Sequence, residues 1–408
     1  MNKIGIFFFS SLKAPTGAST VLRNILLGFD KSNKFSMEIF ALDSNNQSRK
    51  IAKGFLVVKY NINNFLKKAL HFTLTFLSKY SFVFSKYYVY LKYHRNAKTV
   101  IQKNIDKVSG LDILFFHDII TPYEFKDKYF KEWKSKKKVI VLHTNGSALK
   151  MLFDYFPLLY KNTKTRKFYK EDVALSVLND MDKIILLSEL AQRKFAKIYP
   201  ELTSKTEVVQ NGVNKRKVSK KEIVRSKLVF TTVGTVCKRK GHDILIDAIL
   251  EMSNLERAAF EFNIIGDGKI KDSLEKICNI NDINNVNFLG VSYDVDHYLE
   301  STDCFVLASR DEGLPMAIIE AMSFGIPIIA SNVGGVPDLV YANVNGYLIS
   351  PANSSELKNS ILDFINCTKQ KKIELGENSR KIFNENFTQS TMIDKYKRIF
   401  KDVLMKKG

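Results

Sequence analysis

Short apolar runs alternate with longer stretches of helical periodicity along most of this chain of 408 residues. The apolar runs predict buried strands, and most are followed by segments in which apolar side chains recur at helical spacing. The predicted strands run from Asp112 to Phe116, Lys138 to Leu142, Lys183 to Leu187, Leu228 to Val233, Phe260 to Ile265 and Cys304 to Ala308. This alternation is typical of parallel sheets covered on both faces, so the predicted fold class is α/β.

A polar, strongly basic stretch from Gly212 to Lys227 lacks apolar periodicity, and we place the boundary between two Rossmann-like halves there. The predicted domains are residues 1–213 and 214–385. Residues 386–408 form a further amphipathic segment with Phe387, Tyr396, Ile399 and Phe400, which predicts a final helix.

The composition is 45% hydrophobic and 26% charged, which indicates a globular protein. The first apolar run, Met1 to Phe9, is too short for a signal peptide and predicts the first buried strand. The four cysteines, Cys237, Cys278, Cys304 and Cys367, are widely spaced and contain no Cys-x-x-Cys pair. We therefore expect reduced thiols in a cytoplasmic protein rather than a metal site.

The net charge of +21 is concentrated in part in a block from Ser44 to Ile105, which has twelve Lys or Arg residues and no Asp or Glu. Apolar side chains recur within it at steps of three or four residues, as one side of a helix requires. They are Phe65, Ala69, Phe72, Phe76, Tyr80, Val83 and Tyr87. Lys67, Lys68, Lys79 and Lys86 interrupt the block too often for a membrane span, and they favour a helix lying on an anionic membrane surface.

Two other interpretations of this block stay open. A genome biased towards Lys, Asn, Phe and Ile would produce the same composition, with the aromatic side chains packing the first domain. A basic, aromatic stretch also suits nucleic acid, but no recognisable nucleic-acid motif accompanies it, and we expect no nucleic-acid partner.

The most informative stretch runs from Ser309 to Pro327, where a predicted strand leads through Gly313 and Pro315 into a short apolar helix. Two carboxylates, Glu312 and Glu320, flank this transition. The first N–H groups of the helix suit a phosphate, and the carboxylates can accept hydrogen bonds from hydroxyl groups. A second strand, ending in Gly334 and Gly335, follows at the same predicted edge, which favours a nucleotide crevice over two solvated surface glutamates.

The run from Ser309 to Glu320 resembles the Glu-seven-residues-Glu signature of the retaining glycosyltransferases of family 4, the glycosyl transferases group 1. Further segments match the family in its order. They are Ile184 to Glu189, Gln210 to Asn214, Val233-Gly234 followed by Lys240-Gly241, Ile265 to Gly268, and Asn287 to Gly290. The resemblance implies the GT-B fold, with two Rossmann-like domains facing across a cleft and a final helix that crosses back to the first domain.

The resemblance also implies roles in the second domain. Lys240 matches the lysine that contacts the donor diphosphate, Gly266 lies in a loop near the nucleotide, and Glu320 should bind ribose hydroxyls. Glu312, with the backbone of Gly313 and Leu314, should hold the transferred hexose. Relatives often carry arginine where this chain has Thr235, so we expect Arg239 or Arg310 to supply the second cation.

In the first domain, His143 ends a predicted strand and matches the histidine that contacts the sugar, with His117-Asp118 as a competing candidate. Gly17 matches the glycine-rich loop that approaches the diphosphate or acceptor, although Ala18 replaces the usual second glycine. The catalytic residues implied are therefore His143 and Glu312.

The implied reaction is retaining transfer of a hexose from a nucleotide-sugar donor to a glycan or lipid-linked acceptor in cell-surface polysaccharide synthesis. Because the first domain offers no obvious carboxylate nucleophile, we favour same-face attack over double displacement. We expect no cofactor and no metal, and a cytoplasmic enzyme held peripherally on the inner face of the membrane. The alternatives are a nucleotide-sugar epimerase with the same fold and a non-catalytic carbohydrate-binding protein.

Overall fold

The computed structural model describes residues 2–10, 17–29, 34–41, 73–74, 76–216, 226–292 and 294–405. The chain divides into two compact units. Unit 1 comprises Met1–Val209 and Ile393–Gly408, and unit 2 comprises Gln210–Met392. The sequence placed these boundaries after residues 213 and 385.

Unit 1 is built on a sheet of six parallel strands among the described residues. They are β1 (Asn2–Phe7), β2 (Phe35–Phe40), β3 (Ile113–Phe116), β4 (Lys137–Leu142), β5 (Lys183–Leu186) and β6 (Thr206–Val208), in the order β2-β1-β3-β4-β5-β6. Their central residues are buried aliphatic and aromatic side chains, because helices cover both faces of a parallel sheet.

The helices of unit 1 connect these strands. They are α1 (Gly17–Phe29), α2 (Phe82–Val89), α3 (Arg95–Gln102), α4 (Ile105–Val108), α5 (Ile120–Lys128), α6 (Phe130–Ser135), α7 (Lys150–Tyr155), α8 (Pro157–Lys161), α9 (Thr163–Phe168), α10 (Ser176–Asn179) and α11 (Glu189–Ile198). Two π-helical segments, Tyr90–His94 and Tyr169–Leu175, continue α2 and α9.

Unit 2 has a second sheet of six described parallel strands. They are β7 (Leu228–Val233), β8 (Phe260–Ile265), β9 (Val286–Gly290), β10 (Cys304–Leu307), β11 (Ile328–Ser331) and β12 (Gly346–Ile349), in the order β12-β11-β10-β7-β8-β9. Its helices are α12 (His242–Leu250), α13 (Asn254–Ala258), α14 (Lys271–Ile280), α15 (Val295–Leu299), α16 (Met316–Ser323), α17 (Ser354–Asn366) and α18 (Lys369–Asn386). The prediction of two Rossmann-like α/β halves is confirmed.

Each sheet reverses its strand order once. In unit 1 the chain passes from β1 to β2 on one side and then to β3 on the other side of β1. In unit 2 it passes from β7 through β8 and β9, and then returns to place β10 on the other side of β7. Loops that leave the carboxyl ends of such neighbouring strands diverge, which opens a crevice where ligands bind.

The last helix, α19 (Gln389–Met405), starts in unit 2, and its residues from Ile393 onward belong to unit 1. Phe400 is fully buried, and its ring lies 5.2 Å from that of Phe115 and 5.9 Å from that of Phe29, measured between centroids. Tyr396, one turn earlier, stacks on Phe400 and also contacts Phe115. The helix therefore completes the core of unit 1.

Replacing Phe400 by alanine should destabilise unit 1 by about 3–5 kcal/mol, because it leaves a cavity against the sheet. The chain's one tryptophan, Trp133, is buried in unit 1, so urea unfolding followed by its fluorescence reports on this unit. Met405→Ala, at a side chain that is 59% exposed, is the matched control and should change the free energy of unfolding by less than about 0.5 kcal/mol. Equal stability of the two variants would contradict the packing role of α19.

Candidate functional site

The loop after β7 brings a cation to the edge of the unit 2 sheet. Lys238–Lys240 form one 3-10 turn, and Gly241 follows with φ 71° before α12 begins. A Cβ atom on Gly241 would lie 1.7 Å from the carbonyl oxygen of Ala308, so only glycine allows this close approach. The approach sets Lys240 against the loop that leaves β10.

Glu312 lies in that second loop, and its side chain is only 6% exposed. Its Oε1 accepts hydrogen bonds from Lys240 Nζ at 2.6 Å and from the buried Ser309 hydroxyl at 2.6 Å. The Arg239 guanidinium lies 3.7 Å from Oε2 and also donates to the Asp311 carbonyl at 2.9 Å. Three donors thus compensate one buried carboxylate, which gives it a single orientation.

The structure distinguishes between Arg239 and Arg310, the two candidates for a second cation. Arg310 forms a bidentate ion pair with Asp243 at 2.7 and 2.9 Å and donates to the Lys238 carbonyl. Arg239 instead contacts Glu312, with 44% of its side chain exposed. Of the two, Arg239 is the one that lies with Lys240 and Glu312.

The other residues expected at the donor site lie around the same edge. Gly266, with φ 144°, follows β8, and a Cβ there would lie 1.9 Å from the carbonyl oxygen of Gly234. Gly313 accepts a hydrogen bond from Gly335 N–H at 2.7 Å, and the Leu314 carbonyl accepts one from Asn211 at 3.3 Å. The loops after β7, β8, β10 and β11 therefore converge at one end of the sheet.

Helix α16 begins at Met316, with Pro315 at its N-cap, where the helical apolar pattern of the sequence begins. Its first N–H groups lie at the end of the loop from β10, where the helix dipole favours an anion. Glu320 is the fifth residue of this helix and is half-buried. The structure thus places Glu320 in α16 and Glu312 in the loop before it.

In unit 1, His143 and His117 follow the neighbouring strands β4 and β3, and the two candidates prove to be partners. His117 Nδ1 and His143 Nε2 are 2.9 Å apart, and the rings stack with centroids 5.1 Å apart. Burial lowers the pKa of His143 to about 4. Burial, and then the adjacent His143, lower the pKa of His117 well below its usual range, so both rings are neutral at pH 7.

Asp118 lies beside this pair but has its own partners. It accepts hydrogen bonds from the Thr121 backbone N–H at 2.6 Å and the Thr121 hydroxyl at 2.7 Å. Burial raises its pKa to about 6, although these hydrogen bonds act in the opposite direction. Gly17, expected in a loop, is instead the first residue of α1, and the preceding residues 11–16 lie outside the described part.

Sequence reasoning did not identify Ser309 and Asn211 as parts of the site. Ser309 is fully buried one residue beyond the predicted strand, and a polar residue at that position was the available signal. Asn211 lies in a segment that pairs with the chain before α19, through a bridge between Val213 and Thr388. That long-range pairing has no counterpart in local sequence.

One cavity of unit 2 lies apart from the site. A cavity of about 370 Å³ opens at the other end of the unit 2 sheet, beside Leu228, Pro327 and Lys372.

All four cysteines are free thiols, as predicted. In the part of the chain that the structure describes, no group of three or more His, Cys, Asp or Glu side chains is placed to hold a metal ion.

Comparison with known proteins agrees with this geometry. Residues 213–382 match the family described as glycosyl transferases group 1. An uncharacterized glycosyltransferase of Haemophilus influenzae is 30% identical over 309 residues, which cover 68% of this chain and 82% of that protein. The UDP-Gal:alpha-D-GlcNAc-diphosphoundecaprenol alpha-1,3-galactosyltransferase of Escherichia coli is 28% identical over 282 residues, 65% of this chain and 67% of that one.

Among solved structures, Anabaena HepE in complex with UDP-glucose is similar with a TM-score of 0.70 at 19% identity. The similarity covers 98% of this chain and 99% of that chain. It confirms the GT-B fold predicted from the sequence.

The histidine pair predicts a pH dependence of stability. Since both folded-state pKa values lie below the unfolded value of about 6.5, the unfolded chain binds protons first as pH falls from about 6.5 towards 4. The free energy of unfolding should therefore decrease over this window, by at most about 1.4 kcal/mol per pH unit for each histidine.

The His117→Gln/His143→Gln double variant should show a shallower decrease in the free energy of unfolding, measured by urea unfolding followed by Trp133 fluorescence. His297→Gln, at an exposed histidine of unit 2, should follow the wild type, and parallel profiles for all three proteins would contradict buried neutral rings.

Proposed function

The chain belongs to the group 1 glycosyltransferases, and we propose that it transfers a hexose from a uridine diphosphate sugar to a lipid-linked or glycan acceptor, with retention of configuration. The observation that carries this proposal is the Lys240–Glu312 pair at the switch point between β7 and β10. The printed name of the E. coli relative specifies UDP-galactose as donor and a diphosphoundecaprenol-linked acceptor, and HepE was solved with UDP-glucose. Both names support a UDP-sugar donor, and the undecaprenol-linked acceptor of the E. coli relative supports a role in surface polysaccharide synthesis.

Lys240 and the α16 N-terminus are the groups that we propose to stabilise the leaving diphosphate. Negative charge grows on the phosphate as the sugar–oxygen bond breaks, and preorganised cations and N–H groups lower the energy of that state. Glu312 Oε1 accepts a hydrogen bond from the ammonium group of Lys240 at 2.6 Å, which fixes the position of this cation at the edge of the sheet. Arg239, more exposed, adds a second positive charge at the rim.

Glu312 and Glu320 are the groups that we propose to hold the donor's hydroxyls. Among the described residues, the second oxygen of Glu312, Oε2, has the distant Arg239 contact at 3.7 Å as its one ionic contact, and it retains capacity to accept a hydrogen bond from a sugar hydroxyl. Glu320, about one turn into α16, suits the ribose. On this proposal Glu312 both orients Lys240 and binds the hexose.

We propose same-face attack for the transfer itself. The acceptor hydroxyl oxygen bonds to the anomeric carbon on the face that the diphosphate leaves, and the departing phosphate oxygen takes the hydroxyl proton. This route needs no carboxylate nucleophile, and positioning and charge stabilisation are what the protein contributes. His143, held neutral and paired with His117, is proposed to donate or accept a hydrogen bond on the sugar rather than to carry charge.

Replacing Lys240 by glutamine should lower kcat/KM about 10²–10³-fold, because the charge that matches the developing phosphate anion is lost. Release of UDP from UDP-glucose and UDP-galactose in the presence of acceptor extracts measures this directly. Lys238→Gln removes an exposed lysine of the same turn and is the matched control, expected to stay within about twofold of wild type. Unchanged activity of the Lys240→Gln protein, with a normal unfolding curve, would reject this site.

Metal independence is the remaining proposal about the chemistry, supported by the cations that Lys240 and Arg239 bring to the site. We expect full activity after exhaustive treatment with EDTA. Activity that EDTA abolishes and Mn²⁺ or Mg²⁺ restores would assign the charge stabilisation to a metal instead. The Lys240→Gln protein, measured with and without added Mg²⁺, is the control that separates the two sources of positive charge.

A further inference from the structure

Five large side chains between residues 76 and 90 are exposed on unit 1, and we call this group the aromatic face. They are Phe76, Tyr80, Val83, Tyr87 and Tyr90, with exposures of 53%, 74%, 71%, 52% and 45%. Phe76 and Tyr80 contact each other with ring centroids 5.2 Å apart. The earlier members of the predicted helical side, Phe65, Ala69 and Phe72, and the lysines Lys67 and Lys68, lie outside the described residues.

The opposite side of the same segment packs into unit 1. Ser85, Tyr88 and Val89 are buried, and the Tyr88 ring lies 5.5 Å from that of Phe156. Ser81 is extended, with φ −130°, so the helix predicted as continuous is interrupted before α2. Packing the core therefore uses only one side of this segment, and it does not account for the aromatic face.

The charged side chains from residue 76 to residue 103 are all basic. Lys79 and Lys86 are exposed among its members, and Lys92, Arg95, Lys98 and Lys103 follow along the chain, whereas residues 44–105 contain no Asp or Glu. Lys98 is paired with the buried Glu124 at 3.3 Å, whereas Lys79 and Lys86 are exposed within the segment that carries the aromatic rings. Basic groups interleaved with exposed tyrosine and phenylalanine suit an anionic interface.

The neighbouring helices extend this surface chemistry. Tyr155, Tyr160 and Phe168, from α7 to α9, are exposed by 58%, 47% and 37%, and Arg166 lies 5.1 Å over the Tyr160 ring. Lys161, Lys164 and Lys167 are exposed in the same stretch. Its acidic residue, Asp154, is paired with Lys150.

We propose that the aromatic face, with Lys79 and Lys86, docks unit 1 onto the surface of an anionic lipid membrane. Tyrosine and phenylalanine favour the headgroup boundary, where the ring meets the acyl chains, and lysine binds anionic headgroups. A second copy of this chain is a poorer occupant, because a symmetric contact would bring the same lysines together, and residues 44–105 contain no Asp or Glu to pair with them. Over the described ranges no helix is long and apolar enough to cross a membrane.

This inference extends the proposed function by naming where a lipid-linked acceptor would be met, but the docking itself does not depend on the enzyme's substrate. Vesicle binding and UDP-sugar turnover are separate measurements on the full-length protein. Failure of vesicle binding with intact turnover rejects only the docking surface. Failure of turnover with intact vesicle binding rejects only the proposed reaction.

Co-sedimentation with vesicles tests the docking surface. The protein should bind phosphatidylglycerol-containing vesicles and be released when salt rises from about 0.1 to about 0.5 M, because screening shortens the reach of the lysines. Lys79→Gln/Lys86→Gln should weaken the partition coefficient roughly 25-fold, at about fivefold per lysine. Tyr80→Ser/Val83→Ser/Tyr87→Ser should weaken it by a similar or larger factor, since these side chains supply the apolar contact.

Matched controls come from unit 2. Lys276→Gln/Lys381→Gln and Leu255→Ser/Ile280→Ser alter exposed lysines and exposed apolar side chains elsewhere and should bind vesicles like the wild type. Equal binding to phosphatidylcholine and anionic vesicles, or equal loss in the control variants, would overturn the proposal. So would a concentration-dependent dimer that the triple serine variant abolishes, or RNA that displaces the protein from vesicles through the same residues.

Discussion

A carboxylate as buried as Glu312 costs several kcal/mol unless charged and polar donors compensate it. Lys240 and Ser309 supply the two short hydrogen bonds, and Arg239 adds a weaker contact. These donors come from the loop after β7 and the loop after β10, which are distant in sequence. The position of each loop therefore depends on the other, and the pair holds the site in one arrangement before any ligand binds.

The backbone of unit 2 makes this arrangement possible. Because the strand order reverses between β7 and β10, their carboxyl ends are neighbours and the two loops meet. Gly241 allows the loops to approach closely, since any side chain there would collide with Ala308. The carboxylate of Glu312 balances the ammonium group of Lys240, so neither charge is left unpaired.

The sequence predicted local features of this structure better than it predicted contacts between residues that are distant along the chain. The strands from Leu228 to Val233 and from Phe260 to Ile265 match residue for residue, because both are rich in β-branched and aromatic residues and each is followed by a glycine. The pairing of His117 with His143 was not predictable, since it requires β3 and β4 to be neighbours, and strand order is set by packing over the whole unit. The choice between Arg239 and Arg310 likewise depended on an ion pair between Arg310 and Asp243 of α12, which local sequence does not predict.

The exposure of the aromatic face distinguishes between explanations that the composition of this stretch leaves open. A lysine-rich and phenylalanine-rich genome would explain the residue types between 44 and 105, but it does not explain why Tyr80 and Val83 remain more than two-thirds exposed while Tyr88 is buried. The hydrophobic effect would favour turning them inward, so a folded chain that leaves them outside has a surface suited to another apolar phase. The predicted membrane contact and the Lys240–Glu312 pair then belong to different compact units. The physical demands on them are also opposite. A surface facing lipid needs exposed apolar groups and unneutralised charge, whereas the Lys240–Glu312 pair is a buried charge with its partner already in place.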